Sequence, residues 1–526
     1  MRVGRQVVAF PGVSLYGPAS RAGRVTIMLR RHWLLAVLLG AGGVLRILVV
    51  IAYRPALLYT DSLKYLYDAW PGTDPVGYKV PLELILLVGN LTTVVAVQHV
   101  LGLAMAVTLY AMMTRRGTPR WLAACAVAPV LLDAYQLEIE QTILPDVWFE
   151  ALIVAGLAVL LRPPRPTLWA TLAAGFLLGA TVTVREIGLV LIVPALIYVV
   201  VAAGGWRSAS GLGAALAAAF VAPVIIYGSV SYLANGHFRL SRAATSQAYG
   251  RAALAADCTS LRMAPQERPL CPSARQKMLL GTDGLDHAPV SPLVTYVPPP
   301  GVSKSVVVAG FVSAVLRQQP LNVLGGTAGD AVKLFALSRN THPGDPPVSR
   351  WQFQAGYPTH AMRTATNHVL RFVEVSRDGH IVVGLNKSGA TGGPYTYQRL
   401  SPALGGKAAV NPALATFLRS YQLRGGYTPG PLYAFAAVAG LLGLLGLSRR
   451  STGGDQWELA SACLLMFTTA VVLLLASDFF EFSWRYQLPA VVTLPPAGAL
   501  GIAVITDRLR DSSGVLSRRA HRPGEG

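Results

Sequence analysis

Charge is scarce in this sequence. Of its 526 residues, 13% are Asp, Glu, Lys or Arg, against about 25% in an ordinary soluble domain. A water-exposed surface over most of the chain is therefore excluded. Acidic residues are outnumbered 25 to 45, which leaves a net charge of +20. No nucleic-acid-binding module accompanies that charge, so topology signals and a basic face towards anionic lipid account for it better. A cleavable secretory signal is also missing: residues 1–32 are basic, carry Pro11 and Pro18, and have no apolar core leading to a small-residue cleavage site. The first apolar run is then an anchor that stays, and Met28 is a second candidate start. No repeat of solenoid period occurs.

What is abundant is apolar sequence: 53% of residues are hydrophobic, with a mean hydropathy of +0.47. Runs of roughly 18 to 25 such residues recur, each long enough for a hydrocarbon core of about 30 Å. They predict a polytopic α-helical membrane protein of about ten spans, near 33–53, 94–113, 121–137, 144–161, 168–184, 187–203, 212–233, 430–447, 459–477 and 489–506. The arginine-rich linkers "TRRGTPR", "RPPRP", "GGWRSASG" and "SRRSTGG" then share a side with both termini, and the positive-inside rule makes that side cytoplasmic. The expected organisation is a basic cytoplasmic segment (1–32) and an N-terminal membrane module (33–233) with a first external loop (54–93). An extracytoplasmic domain (234–429) lies between the seventh and eighth spans, followed by a C-terminal membrane module (430–506) and a cytoplasmic tail (507–526).

The external segment reads as mixed α/β. "VSKSVVVAGFVSAVLRQQP" and "GDAVKLFAL" have helical amphipathic spacing, while "VLRFVEVSRDGHIVVGLN" alternates around Asp378-Gly379, a hairpin signal. Cysteine is nearly missing, with four residues in all. Cys258 and Cys271 fall in this external segment, where an oxidising compartment permits a disulfide, and too few paired ligands surround them for a zinc site. Cys125 and Cys463 are expected to pack within spans.

Ionisable residues at bilayer depth are costly and tend to mark function. Here they gather on the external side of four connections: Asp61 and Asp74 after the first span; Glu138, Glu140 and Asp146 between the third and fourth; Arg185 and Glu186 between the fifth and sixth; Asp478, Glu481 and Arg485 between the ninth and tenth. For any one of them a solvated interfacial charge is the competing reading, and Asp74 and Glu138 are read that way. Glu150, one turn after Asp146, reads as a protonated or paired interior group, and His99 as an interhelical partner.

Four stretches, "YTDSLKYLYDAW", "GYKVPLELILLVGN", "EIEQTILPDVWFEALIVAGL" and "GFLLGATVTVREIGLVLIVPAL" with "WRYQLPAVV", appear in an order and on a common side that resemble the GT-C superfamily. These are polytopic glycosyltransferases using polyprenyl-phosphate sugars, such as protein mannosyltransferase-like enzymes and mycobacterial arabinosyltransferases. The resemblance covers residues 33–200 and 430–506, and departs at the single acid of "TDS" and at Lys79. It implies transfer of a sugar from a polyprenyl-phosphate donor to an envelope glycan, lipid or protein. Asp61 would then be the general base, with Glu140 and Asp146 shaping the acceptor site. If a divalent cation (Mg or Mn) is used, Asp61, Glu140 and Asp146 are its ligands. Arg185 and Arg485 would grip the donor phosphate, with Lys79, Tyr65 and Tyr78 as further substrate contacts and Trp484 another candidate for stacking on sugar. Trp351, Tyr357 and Tyr421 are candidate carbohydrate-stacking residues of the external domain. A transporter or flippase for a lipid-linked sugar, and a non-catalytic envelope scaffold, are the alternatives; transporters commonly show internal repeats, which are not evident here.

Overall fold

Backbone groups inside a bilayer have no water to bond, so apolar segments there must satisfy themselves as helices. The computed structural model describes residues 30–67, 75, 77–240, 244–363, 369–385, 396–447 and 454–520. Asp74 lies outside them. The helices are α1 (Trp33–Ala52), α2 (Ser62–Tyr67), α3 (Lys79–Leu86), α4 (Leu91–Arg115), α5 (Arg120–Leu132), α6 (Ala134–Gln141), α7 (Asp146–Leu160), α8 (Leu168–Val184), α9 (Ile192–Ala202), α10 (Trp206–Asn235), α11 (Ala244–Ala255), α12 (Ala274–His287), α13 (Lys304–Gln318), α14 (Pro320–Ala331), α15 (Pro412–Leu423), α16 (Gly430–Leu444), α17 (Gly454–Phe480) and α18 (Pro489–Ala520).

Among the described residues, five helices are long and apolar enough to cross a membrane: Trp33–Ala52, Leu91–Arg115, Trp206–Ala234, Gln456–Phe480 and Pro489–Arg510. A sixth crossing forms if α5 and α6, bent by 49° at their junction, act as one. The apolar helices Leu168–Val184, Glu186–Ala202 and Gly430–Leu444 are shorter. The chain is thus a polytopic helical membrane protein. The bend has a local cause: Asp133 is extended, ends α5, and its carboxylate accepts from Tyr135 N–H to cap α6.

Without a hydrophobic force between helices in lipid, small residues allow close van der Waals packing. A Cβ on Gly179 of α8 would sit 2.0 Å from Phe220 O of α10, and one on Gly501 of α18 would sit 2.1 Å from Ala439 O of α16. Both are sites where only glycine fits.

The segment between α10 and α16 holds two structures. Helices α11 to α14 enclose their own core around Tyr249, Leu270, Leu285, Phe311 and Val315. Beyond it, β2 (His360–Arg363), β3 (Val369–Val375), β4 (Ile381–Leu385) and β5 (Thr396–Arg399) form an antiparallel meander. The β3–β4 hairpin pairs Val375 with Ile381, and Gly379 takes a positive φ of 82° in the turn, as the Asp-Gly signal predicts. "VSKSVVVAGFVSAVLRQQP" forms α13, whereas only the start of "GDAVKLFAL" is α-helical and the rest is a short 3-10 turn.

Cys258 and Cys271 form a disulfide across a separation of 13 residues. Replacing both with Ser is expected to cost about 3 kcal/mol for a loop of this length, seen as earlier thermal unfolding of the purified chain. Cys463 is buried as expected, but Cys125 faces outward from α5.

Candidate active site

Asp61 is positioned by backbone before any side chain acts. On leaving α1, Tyr53 and Arg54 (β1) pair with Val410 and Ala409 (β6). Leu57 then bridges to the end of α6: its N–H donates to Gln141 O at 2.9 Å and its carbonyl accepts from Ile143 N–H at 3.1 Å. Residues 53–58 are thereby clamped between the far end of the external segment and the broken helix, and Asp61 follows at the mouth of α2.

Arg485 is positioned from the other side. In the connection between α17 and α18, the Gln487 amide donates to Asp478 Oδ2 at 3.0 Å and to Asp330 O at 3.2 Å. Buried Arg251 of α11 bonds both Asp330 and Asp478 O, tying α11, α14 and α17 together. The Trp351 indole donates to Ser483 Oγ at 3.2 Å.

These supports bring four of the expected residues together from positions far apart in the chain. Arg485 lies between two carboxylates: Nη2 is 2.8 Å from Asp146 Oδ2, Nε is 3.1 and 3.0 Å from the two Asp146 oxygens, and Nη1 is 3.2 Å from Asp61 Oδ2. Arg185 pairs with Asp146 Oδ1. Lys64, one helical turn beyond Asp61, places Nζ 3.1 Å from Asp61 Oδ1. The Tyr486 ring stands 4.5 Å from the Arg185 guanidinium and 5.5 Å from that of Arg485, and Trp351 stands 5.2 Å from Arg485.

Burial separates the roles. Arg485 and Asp146 are 4% and 2% exposed, whereas Asp61 is half-buried, with solvent on one side. Burial alone would raise the Asp61 carboxyl, but the Lys64 ammonium and the Arg485 guanidinium outweigh it and hold the group well below the usual carboxylate range. Burial likewise opposes the charge on Arg485, and Asp146 overcomes it, so the guanidinium stays charged. Nearby, burial and then the charge of Asp283 push the Glu481 carboxyl up to about 8.

Glu140 does not join this group. Its Oε1 receives Arg46 Nη2 at 2.7 Å and its Oε2 receives His99 Nδ1 at 2.8 Å, inside the bundle. His99 is therefore the interhelical partner its position predicts. Arg46 also bonds the Val130 and Leu131 carbonyls at 3.0 Å each, which the end of α5 leaves without helical partners. Glu138, read as solvated, is instead 6% exposed. Tyr78 is fully buried, its hydroxyl bonded to Gln98 Oε1 at 2.9 Å and its ring 5.1 Å from Tyr65. Lys79 Nζ donates to Tyr65 O at 3.2 Å and lies 3.4 Å from Glu83. Trp484 is 3% exposed. Tyr65, Tyr78 and Trp484 are thus packed residues, not open stacking faces.

A divalent ion held by Asp61, Glu140 and Asp146 does not fit this arrangement. Glu140 has both oxygens engaged elsewhere, and Arg485 occupies the place between Asp61 and Asp146 that a cation would take. Among the described residues, no group of three His, Cys, Asp or Glu side chains is arranged as a metal site. Sequence reasoning missed Lys64, Arg46 and Tyr486. Lys64 had a signal, its i+3 spacing from Asp61 on a short helix.

No protein-family model matches this chain, and no curated protein does. Among solved structures, the archaeal oligosaccharyltransferase AglB from Archaeoglobus fulgidus, in complex with an inhibitory peptide and a dolichol-phosphate, aligns with 95% of this chain and 53% of its own. The TM-score is 0.39 at 12% identity. The protein O-mannosyltransferase Pmt1-Pmt2 complex of S. cerevisiae, bound to the sugar donor, aligns with 91% of this chain and 85% of its own, at TM-score 0.40 and 12% identity. The chain spans about half the length of the oligosaccharyltransferase it matches. Neither likeness is close enough to assign the chain to a family.

Proposed function

We propose that this protein is a membrane glycosyltransferase that moves a sugar from a polyprenyl-phosphate donor onto a hydroxyl of an extracytoplasmic acceptor. In this reading the short apolar helices, together with α7, complete about ten spans, both termini are cytoplasmic in the cell membrane, and residues 234–429 lie outside. The observation that carries it is Arg485 held between Asp61 and Asp146, with Arg185 and Lys64 beside them, where the helical bundle meets the external segment.

The chemistry follows from that charge arrangement. The acceptor oxygen attacks the anomeric carbon as the carbon–oxygen bond to phosphate breaks. Polyprenyl phosphate departs with the electron pair, and Asp61 takes the hydroxyl proton. Arg485 and Arg185 stay charged and present planar N–H forks to phosphate oxygens. Asp146 sets the direction of both guanidinium groups. A carboxylate held as low as Asp61 is a weak base. When the donor phosphate draws Arg485 and Lys64 towards itself, Asp61 loses the charges that depress it and gains proton affinity. Donor binding and base activation are coupled in this way.

Incubating the purified full chain with polyprenyl-phosphate mannose and polyprenyl-phosphate arabinose, each with oligosaccharide acceptors, tests the reading by product mass. A hexose or pentose increment is expected; no increment with any donor and acceptor overturns it.

A pH effect follows from Glu481. Its carboxyl, pushed up to about 8, is neutral at pH 7 and ionises as pH rises through about 8. The added negative charge opposes the donor phosphate. Donor KM is expected to climb above that pH, and Glu481→Gln to flatten the rise.

A further inference from the structure

Next to the charged site lies a cavity of about 600 Å³, within the range of small-molecule sites. Leu57 and Glu138 form one wall, and the loop from Pro347 to His360 forms the other. We infer that this cavity binds the end of a neutral, hydroxyl-rich carbohydrate, with Glu138 as its anchoring group; as an acceptor site it rests on the transferase reading above.

The loop is a fixed wall. Phe353 N–H donates to Gln422 Oε1 at 2.8 Å, and Arg419 donates to Phe353 O and Gln354 Oε1, both at 2.8 Å. The Tyr53 hydroxyl donates to Gln354 O at 2.5 Å and the Tyr357 hydroxyl to Ala56 O at 2.8 Å. Two separate parts of the chain, α15 and residues 53–56, thus fix the loop.

The polar groups select the ligand class. Glu138 is 6% exposed, and while its Oε1 accepts from Thr142 Oγ1 at 3.3 Å, its Oε2 has no hydrogen-bond partner. A buried oxygen left without a hydrogen-bond partner is costly, and a ligand hydroxyl would supply one. Across the cavity, burial and then Arg350 push the His360 imidazole down to about 4, so it is neutral and can both give and take a hydrogen bond. Arg350 disfavours a cationic ligand, whereas the Glu138 carboxyl and the His360 imidazole can both pair with hydroxyls. Packed rings join the cavity wall to the charged site. Tyr59, two residues before Asp61, has its ring 4.9 Å from His360 and 4.9 Å from Trp351, the ring that faces Arg485.

The test is protection of an introduced thiol. Ser349 and Thr359 line the cavity and are exposed. In full-length Cys125→Ala protein, Ser349→Cys is labelled with a hydrophilic maleimide in the presence of a mannose trisaccharide, an arabinofuranose trisaccharide, a Ser/Thr-containing peptide, or polyethylene glycol of similar mass. One trisaccharide at ten times its Kd is expected to slow labelling about tenfold by mass action. The polymer and the peptide should not. Adding Glu138→Ala should abolish the protection. Thr359→Trp, a surface change that fills the mouth and spares the core, should do the same. Absence of protection by both sugars overturns the inference, as does protection that survives Thr359→Trp. Protection by the peptide alone overturns it in favour of a protein acceptor. Labelling needs no donor and no turnover, so measured transfer without protection would remove this site while leaving the transferase reading in place.

Discussion

Asp61→Asn is expected to slow sugar transfer about 10²–10⁴-fold, the usual worth of a positioned general base. Asn matches Asp in shape and can still accept from Lys64 or Arg485, but it cannot take the acceptor proton. Removing the carboxylate also frees Arg485 and Lys64, which now lie 3.2 and 3.1 Å from it, to meet the donor phosphate. The loss should therefore fall on kcat, with donor affinity kept or increased. That split distinguishes a base from a residue that merely organises the pocket, whose removal would weaken donor binding. Steady-state kinetics of purified variant and parent, with donor binding measured separately, decide the matter. Parent-like kcat in Asp61→Asn removes the base assignment.

The largest expected effect on stability lies elsewhere, at Arg46→Met. Arg46 and Glu140 are 3% and 0% exposed, and breaking such a buried pair by removing one partner costs about 3–5 kcal/mol. Here the loss has two parts: Glu140 loses its Arg46 partner, and the Val130 and Leu131 carbonyls lose their donors. The double variant Arg46→Met/Glu140→Met should recover much of the loss, because replacing both charges with apolar side chains leaves no stranded ion. Thermal unfolding of the two variants in one detergent compares them directly. An Arg46→Met protein as stable as the parent would show that the pair is dispensable. Gly102→Ala is a related case, since its Cβ would stand 2.1 Å from Glu140 Oε1.

Much of the architecture was legible because apolar runs bound for lipid have one way to satisfy their backbone. Helices start within a few residues of the expected spans, and the sidedness of Asp61, Asp146, Arg185 and Arg485 anticipated their meeting. What could not be read was the break after Leu132. The sequence reading ended a span at 137, which left Glu138 and Glu140 in a common turn. In the structure both lie on α6, two residues and so about 200° apart around a helix. One faces the bundle and Arg46, the other the cavity under the external loop. The bend at Asp133 makes them helical, and its signal, an N-cap Asp with Gln136 three residues on, is hidden inside an apolar run that reads as one span. Arg46 was overlooked for the opposite reason: it sits mid-span, where an ionisable group should prompt a search for its partner. Tyr65 and Tyr78 read as substrate contacts, yet their rings pack on each other, because the first external loop folds back through α2 and α3.

The pairing of β1 with β6 has a consequence for biogenesis. Residues 53–54 find their strand partner only when residues 409–410 have been made, and the guanidinium that balances Asp61 and Asp146 comes from position 485. A nascent chain halted before that point holds two carboxylates without their shared counter-charge and a first loop without its anchor. Assembly of this charged cluster therefore waits until position 485 has been translated.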